Sequence, residues 1–187
     1  HRKLLRRLRR QKARPRRGLD LFLRQGRQHR QVLRRVRQPQ ARGCRRLDLL
    51  LPIMAARMDT CVAKGFDAVE PDNVDGYRNA SGFPLTPDDQ LAYNRAIAAL
   101  AHERGLSVGL KNDLDQIQQL AGNFDFAVNE ECVRYGECDR YLPFTQAGKA
   151  VLHVEYEGPL DFCDASAGLG LSSMLKPLDL GVDRQAC

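Results

Sequence analysis

Four short apolar runs in this chain each give way to polar side chains. Residues 66–69 lead into Glu70-Pro71-Asp72-Asn73-Val74-Asp75, 106–110 into Lys111-Asn112-Asp113, 124–128 into Asn129-Glu130-Glu131, and 150–154 into Glu155-Tyr156. Carboxylates, amides and a single lysine gathered in this way supply acid/base chemistry. Paired carboxylates without a histidine-rich ligand set suit glycoside hydrolysis, in which one carboxyl protonates the leaving oxygen and the other attacks or activates water. The rival use of the same oxygens is a hard cation: Asp72, Asp75, Asp113 and Glu130 are ligand types for Mg²⁺ or Ca²⁺. The chain has no EF-hand spacing, His-x-x-x-His or Cys-x-x-Cys, so neither metal nor cofactor is expected. His1, His29, His102 and His153 form no triad spacing and there is no Gly-x-Ser-x-Gly elbow, so the histidines read as structural. Ser166, Ser172 and Ser173 lie in a Gly/Ser-rich stretch and read as loop residues.

The elements that must position these groups alternate between helix and strand. Over residues 52–64, Met54, Met58, Cys61 and Val62 recur at i, i+4, i+7 and i+8, which predicts a helix stopped by Gly65. A second helix is predicted from Thr86 as N-cap, Pro87 in the first position and Asp88 and Asp89 in the first turn, ending near Gly105. Its apolar stripe is Leu91, Ile97, Leu100 and Ala101. The four apolar runs have strand length and follow Gly or Asn turns. Strands alternating with helices imply parallel βαβ units, and the absence of a glycine-rich phosphate loop favours a barrel over a nucleotide-binding sheet. The expected fold is therefore α/β, a partial (β/α)8 TIM barrel, in which the C-terminal strand ends bring the polar groups to one mouth.

Charge divides the 187 residues into two parts. Residues 1–46 hold 19 Lys/Arg against Asp20 alone, whereas 47–187 hold 22 acids against 11 bases, giving a net charge of +7 for the whole. The first part has 17 Arg, six Gln and no Ser, Thr, Glu, Ile or Met, and nothing in it alternates like a strand. It lacks the serine of a transit peptide and the apolar core of a secretory signal. We read 1–46 as a disordered or out-of-frame Arg-rich segment and 47–187 as the functional domain. The alternative function is a non-catalytic polyanion-binding protein acting through the basic arm, with affinity falling steeply with salt. Missing Trp and 6% aromatic content argue against base-stacking surfaces, so no nucleic acid is expected as a partner of the domain. No apolar run approaches 18 residues, so no membrane span is expected.

From Leu47 onward the sequence resembles the glycoside hydrolase family 114 domain of endo-α-1,4-polygalactosaminidases, a TIM-barrel family. The resemblance runs through Gly65-Phe66-Asp67-Ala68-Val69-Glu70-Pro71-Asp72-Asn73-Val74-Asp75-Gly76-Tyr77, then Ala101-His102-Glu103-Arg104-Gly105-Leu106-Ser107-Val108-Gly109-Leu110-Lys111-Asn112-Asp113. It continues in Phe124-Asp125-Phe126-Ala127-Val128-Asn129-Glu130-Glu131-Cys132, Glu137-Cys138-Asp139 and Val154-Glu155-Tyr156.

The resemblance implies a retaining enzyme with Asp72 as nucleophile and Glu130 as acid/base. It implies that Asp75, Tyr77, Lys111, Asn112, Asp113, Asn129 and Glu155 bind substrate or support the two carboxylates, with Glu70 as a buried, paired carboxylate orienting Asp72. The implied partner is a cationic, partly deacetylated galactosamine polysaccharide, to which the acidic domain is suited. Secretion is implied as well, with Cys132 paired to Cys138, Cys163 paired to Cys187, and Cys61 a buried thiol. Such a barrel has about three strands ahead of Leu47, which 1–46 does not resemble, so a fragment is expected.

Overall fold

The computed structural model of the chain describes residues 47–187, and the Arg-rich segment 1–46 lies outside the described residues. Helix α1 spans Leu47–Ala63 and so begins five residues before the predicted start, carrying Pro52 inside it. Its predicted stripe is only partly used. Met58 is buried and Met54 and Cys61 half-buried, while Val62 is exposed along with Leu49, Leu50 and Ile53. The helix packs on α2, Pro87–His102, and Arg104 ties the pair together with a 2.7 Å bond from its Nε to Asp59.

Helix α2 starts as its sequence requires. Thr86 Oγ1 accepts from the Asp89 backbone N–H and Asp89 accepts from the Thr86 backbone N–H, a reciprocal capping box with Pro87 in the first turn. Its buried face is Gln90, Asn94, Ile97, Ala98 and Ala101, whereas Leu91 and Leu100 are half-buried. Two polar residues thus occupy positions that hydrophobic periodicity leaves out.

Strands β1 (Ala68–Val69), β2 (Ser107–Lys111), β3 (Phe126–Glu130), β4 (Val151–Glu155) and β5 (Ser172–Leu175) pair in parallel in sequence order. A sixth strand, β6 (Gln185–Ala186), adds antiparallel to β5. Parallel strands joined to their sequence neighbours wind in one direction, as in a barrel, and the sheet ends at β1 and β6 without closing. The fold is a partial, unclosed barrel of mixed α/β type.

Each of β2, β3 and β4 runs into the polar residues predicted to follow it, so Lys111, Glu130 and Glu155 are the last residues of their strands. The first run shrinks to two residues, with Phe66 exposed. Ser172 and Ser173 are not in a loop but in β5, and Ser166 lies in helix α6, Cys163–Gly168. Gly109 faces Phe126 across the β2–β3 pair, and a Cβ there would fall 2.3 Å from the ring, so the close approach of the two strands requires glycine.

Short helices α3 (Ile117–Leu120), α4 (Cys132–Tyr135) and α5 (Leu142–Gln146) complete the layer, with a core of Tyr141, Phe124, Phe144, Ile97, Leu110, Ile117 and Leu120. Disulfides join Cys132 to Cys138 and Cys163 to Cys187. The first clamps the turn after β3, and the second ties α6 to the residue that follows β6. Cys61 is free and half-buried rather than buried. No described helix is long and apolar enough to cross a membrane.

Candidate active site

The C-terminal ends of the parallel strands turn sharply, and the turns use left-handed backbone at non-glycine residues. Asn73 follows Asp72 with φ 57°, Asn112 and Asp113 follow Lys111 with φ 47° and 48°, and Glu131 follows Glu130 with φ 64°. Strained backbone of this kind persists where surrounding contacts hold it, and it clusters at functional sites.

Lys111 is the hub. Its ammonium lies 3.2 Å from Asp72 Oδ1 and 3.0 Å from Glu130 Oε2, with only 10% of its side chain exposed. Asp72 is 61% exposed and Glu130 33%, so the two carboxylates face solvent over a buried cation. The two bridged oxygens are no more than about 6.2 Å apart, the sum of their contacts to the shared nitrogen. The ammonium occupies the position between Asp72 and Glu130 that a bound cation would need.

The electrostatics follow from these contacts. The backbone N–H of Asn73 donates to Asp72 Oδ1 at 2.8 Å and, with a smaller contribution from Lys111 against the effect of partial burial, holds this carboxyl below its usual range. Burial alone would lower Lys111, but its bonds to Glu130 and Asp72 outweigh that and raise it, so it stays an ammonium. Tyr156 donates its hydroxyl to Glu130 Oε1 at 2.5 Å, and desolvation together with that bond pushes the phenol up. Glu130 therefore has a donor on each oxygen.

Asn112 and Asn129 hold Glu130 in place. Asn112 Oδ1 accepts from the Glu130 backbone N–H at 3.1 Å and from Asn129 Nδ2 at 3.3 Å. Asn129, fully buried, also donates to Tyr141 Oη at 3.0 Å and accepts from the Cys132 backbone N–H at 2.9 Å. Glu155 is 3% exposed: its Oε1 accepts from the Val133 backbone N–H at 2.8 Å and pairs with His153 Nε2 at 2.8 Å, and His153 Nδ1 reaches Ser173 Oγ at 2.9 Å. The sulfurs of Cys132 and Cys138 lie close to His153 but are spent in their disulfide, so they offer no thiolate to a metal.

The structure thus gathers Asp72, Lys111, Asn112, Asn129 and Glu130 of the predicted set. Asp75 and Tyr77 are half-buried on the loop after β1 and make no hydrogen bond to the carboxylate pair among the described residues. Asp113 is fully buried and bonds to Asn94, away from the pair. Glu70 is exposed as a whole and has no hydrogen bond to Asp72 among the described residues, so the expected pairing is not formed, but partial desolvation, opposed by Lys111 and reinforced by Asp72 and Glu130, raises its carboxyl and puts it in the field of the pair. The sequence placed Tyr156 at a strand end directly after the β4 carboxylate but gave it no role, and it gave no sign of Tyr141 or Asn94. Next to the site, an open cleft of about 360 Å³ is lined by Val133, Arg134, Glu155, Glu157, Asp161 and Phe162 among others. It does not include Asp72 or Glu130.

Comparison with known proteins places the chain in a family. The model of the glycoside-hydrolase family GH114 matches residues 35–187. Among solved structures, the crystal structure of Aspergillus fumigatus Ega3 in complex with galactosamine aligns with a TM-score of 0.67 and 36% identity, over 73% of this chain and 60% of that one. The glycoside hydrolase domain of PelA from Pseudomonas aeruginosa aligns with a TM-score of 0.50 and 12% identity, over 73% of this chain and 63% of that one, a likeness of fold alone. The chain therefore spans less than two thirds of the length of either structure. None of the curated proteins matches it.

Proposed function

Because this chain belongs to glycoside-hydrolase family GH114, we propose that it hydrolyses an α-1,4-linked galactosamine-containing polysaccharide by a retaining mechanism, with Asp72 as nucleophile and Glu130 as acid/base. The observation that carries the reading is the single buried ammonium shared by the two carboxylates. The shared ammonium keeps one oxygen of each carboxyl within about 6.2 Å of the other, near enough for both groups to act on one glycosidic bond, and the retaining assignment follows the family resemblance.

The chemistry follows from the contacts. Asp72 Oδ1 is held by Asn73 and Lys111, which leaves Oδ2 to attack the anomeric carbon while Glu130 gives its proton to the departing glycosidic oxygen. Ester formation consumes the charge on Asp72 as Glu130 becomes anionic. Lys111 and Tyr156 then stabilise that new charge, so one ammonium serves whichever carboxylate is ionised. Glu130 next takes a proton from water, which attacks the ester and frees Asp72.

Ega3 is described in complex with galactosamine, whose amine is cationic when free of acetyl groups. The domain's 22 acids against 11 bases favour the approach of such a polymer. The two disulfides fit an oxidising, extracellular setting. The test is release of reducing ends from partly deacetylated α-1,4-galactosamine polymer: Asp72→Asn and Glu130→Gln should each lose on the order of 10²-fold or more of the wild-type rate. Turnover by Asp72→Asn at the wild-type rate would overturn the assignment.

A further inference from the structure

Asp113 lies two residues beyond Lys111 and is completely buried, yet only one of its carboxyl oxygens has a partner. Oδ2 accepts from Asn94 Nδ2 at 2.9 Å, while Oδ1 is buried without a hydrogen bond among the described residues. A carboxylate in that state is an uncompensated buried charge, among the most costly arrangements in a protein. The groups that face it do not offset that cost. Asp75 from the loop after β1 and Asp115 from its own turn carry the same sign, Arg78 opposes them, Arg140 bonds to Asp115 at 3.2 Å, and Tyr77 and Tyr141 are neutral hydroxyls that make no hydrogen bond to Asp113 among the described residues. Protonation turns the orphaned acceptor into a donor, and the same turn holds a second orphaned acceptor, Gln116 Oε1.

The partner of Asp113 is placed to do more than satisfy it. Asn94, also fully buried, donates to Asp113 Oδ2 and to the Val74 carbonyl, each at 2.9 Å, and its own oxygen accepts from Gln90 Nε2 at 2.9 Å. Val74 is two residues from Asp72. One amide on α2 therefore grips both the loop that carries the nucleophile and the strand end that carries its lysine. Gln116 Nε2 adds a second tether from the Asp113 turn to the Pro87 carbonyl at the start of α2, at 2.7 Å. The paired left-handed residues Asn112 and Asp113 need such restraint to persist.

We propose that Asp113 is held as the neutral acid and that, through Asn94, it locks the Asp72 loop against the Lys111 strand end, a positioning residue rather than a substrate contact. Burial first and then Asp75 push its carboxyl up to about 7, against the bond from Asn94. As pH rises through that value a buried charge appears beside Asp75 and Asp115, the turn opens to hydrate it, and the catalytic pair loses its register. The positioning half rests on the hydrolase reading above; the protonation half does not.

The test uses the full chain and its nearly isosteric variant Asp113→Asn. The infrared difference spectrum between the two at pH 5 should show the carbonyl stretch of a protonated carboxyl in the wild type only, and that band should fade as pH passes 7. In turnover of galactosamine polymer, the ratio of rates at pH 8 and pH 5 should be about tenfold higher for Asp113→Asn than for wild type, since about a tenth of a group with a pKa near 7 stays neutral at pH 8. Asn94→Ala should lower kcat tenfold or more with little change in KM. Absence of the neutral band, or parallel pH profiles for wild type and Asp113→Asn, would overturn the proposal. Failure of the wild type to turn over any such polymer would instead refute the hydrolase reading, and the infrared band would still decide the state of Asp113.

Discussion

Replacing Lys111 by Met removes the charge that Asp72 and Glu130 share while keeping the length of the side chain. In wild type the ammonium is 3.2 Å from Asp72 Oδ1. Asp72 is mostly exposed, so the water-like end of the dielectric range applies, and the lost attraction is worth about 1.3 kcal/mol. That loss raises the Asp72 carboxyl by roughly 1 pKa unit. Asp72 attacks as the anion, so the acid limb of the kcat/KM profile on galactosamine polymer should move to higher pH by that amount. Lys111→Arg, which keeps the charge, should shift it far less. The assay is the full pH profile of reducing-end release by all three proteins, with thermal unfolding to confirm that each is folded. An acid limb in folded Lys111→Met that coincides with wild type, or lies below it, would refute the shared-ammonium argument.

Tyr156→Phe deletes the hydroxyl donor to Glu130 and should cost about 1.5–3 kcal/mol of transition-state stabilisation, read as a fall in kcat of roughly ten- to a hundredfold with KM little changed. Replacing Cys163 and Cys187 by Ser opens a link across 24 residues and should destabilise the domain by about 3 kcal/mol, measured by denaturant unfolding, while the Cys132–Cys138 link across 6 residues should be worth about 2 kcal/mol. Asp113 rises from 3.8 in the unfolded chain to about 7 in the fold, so the stability it contributes is full below the first value and is lost as pH climbs through the second. Asp113→Asn should therefore gain on wild type in unfolding free energy between pH 4 and pH 8, by at most roughly 4 kcal/mol; a difference independent of pH would contradict the buried neutral acid.

Where local chemistry and global fold agree, the sequence is easy to read. The Thr86 N-cap with Pro87 behind it and the apolar runs of β2, β3 and β4 were legible because each signal is contained within a few adjacent residues. Strand β5 was not: Ser172-Ser173-Met174-Leu175 has no apolar alternation, and its strand character comes from pairing with β4 and from the bond between Ser173 and His153. Pro52 concealed the start of α1, since a proline inside a helix reads as its first turn. The polar half of the α2 face was hidden for a related reason, because Asn94 is buried by virtue of partners far along the chain, Val74 and Asp113, and Gln90 by its bond to Asn94.

The site shows the same division. Carboxylates at strand ends could be recognised from order alone, and the resemblance to a family supplied the pair. The link between Asp72 and Glu130 through Lys111, and the donation by Tyr156, depend on four neighbouring strands, β1 to β4, and could only be seen in space.

The most direct measurement of the central claim is the anomeric configuration of the first product, followed by proton NMR during hydrolysis of α-1,4-galactosamine polymer. With Asp72 as nucleophile, the α-anomer should appear first and mutarotate later. Initial release of the β-anomer would contradict Asp72 as nucleophile and require a water between the carboxylates instead.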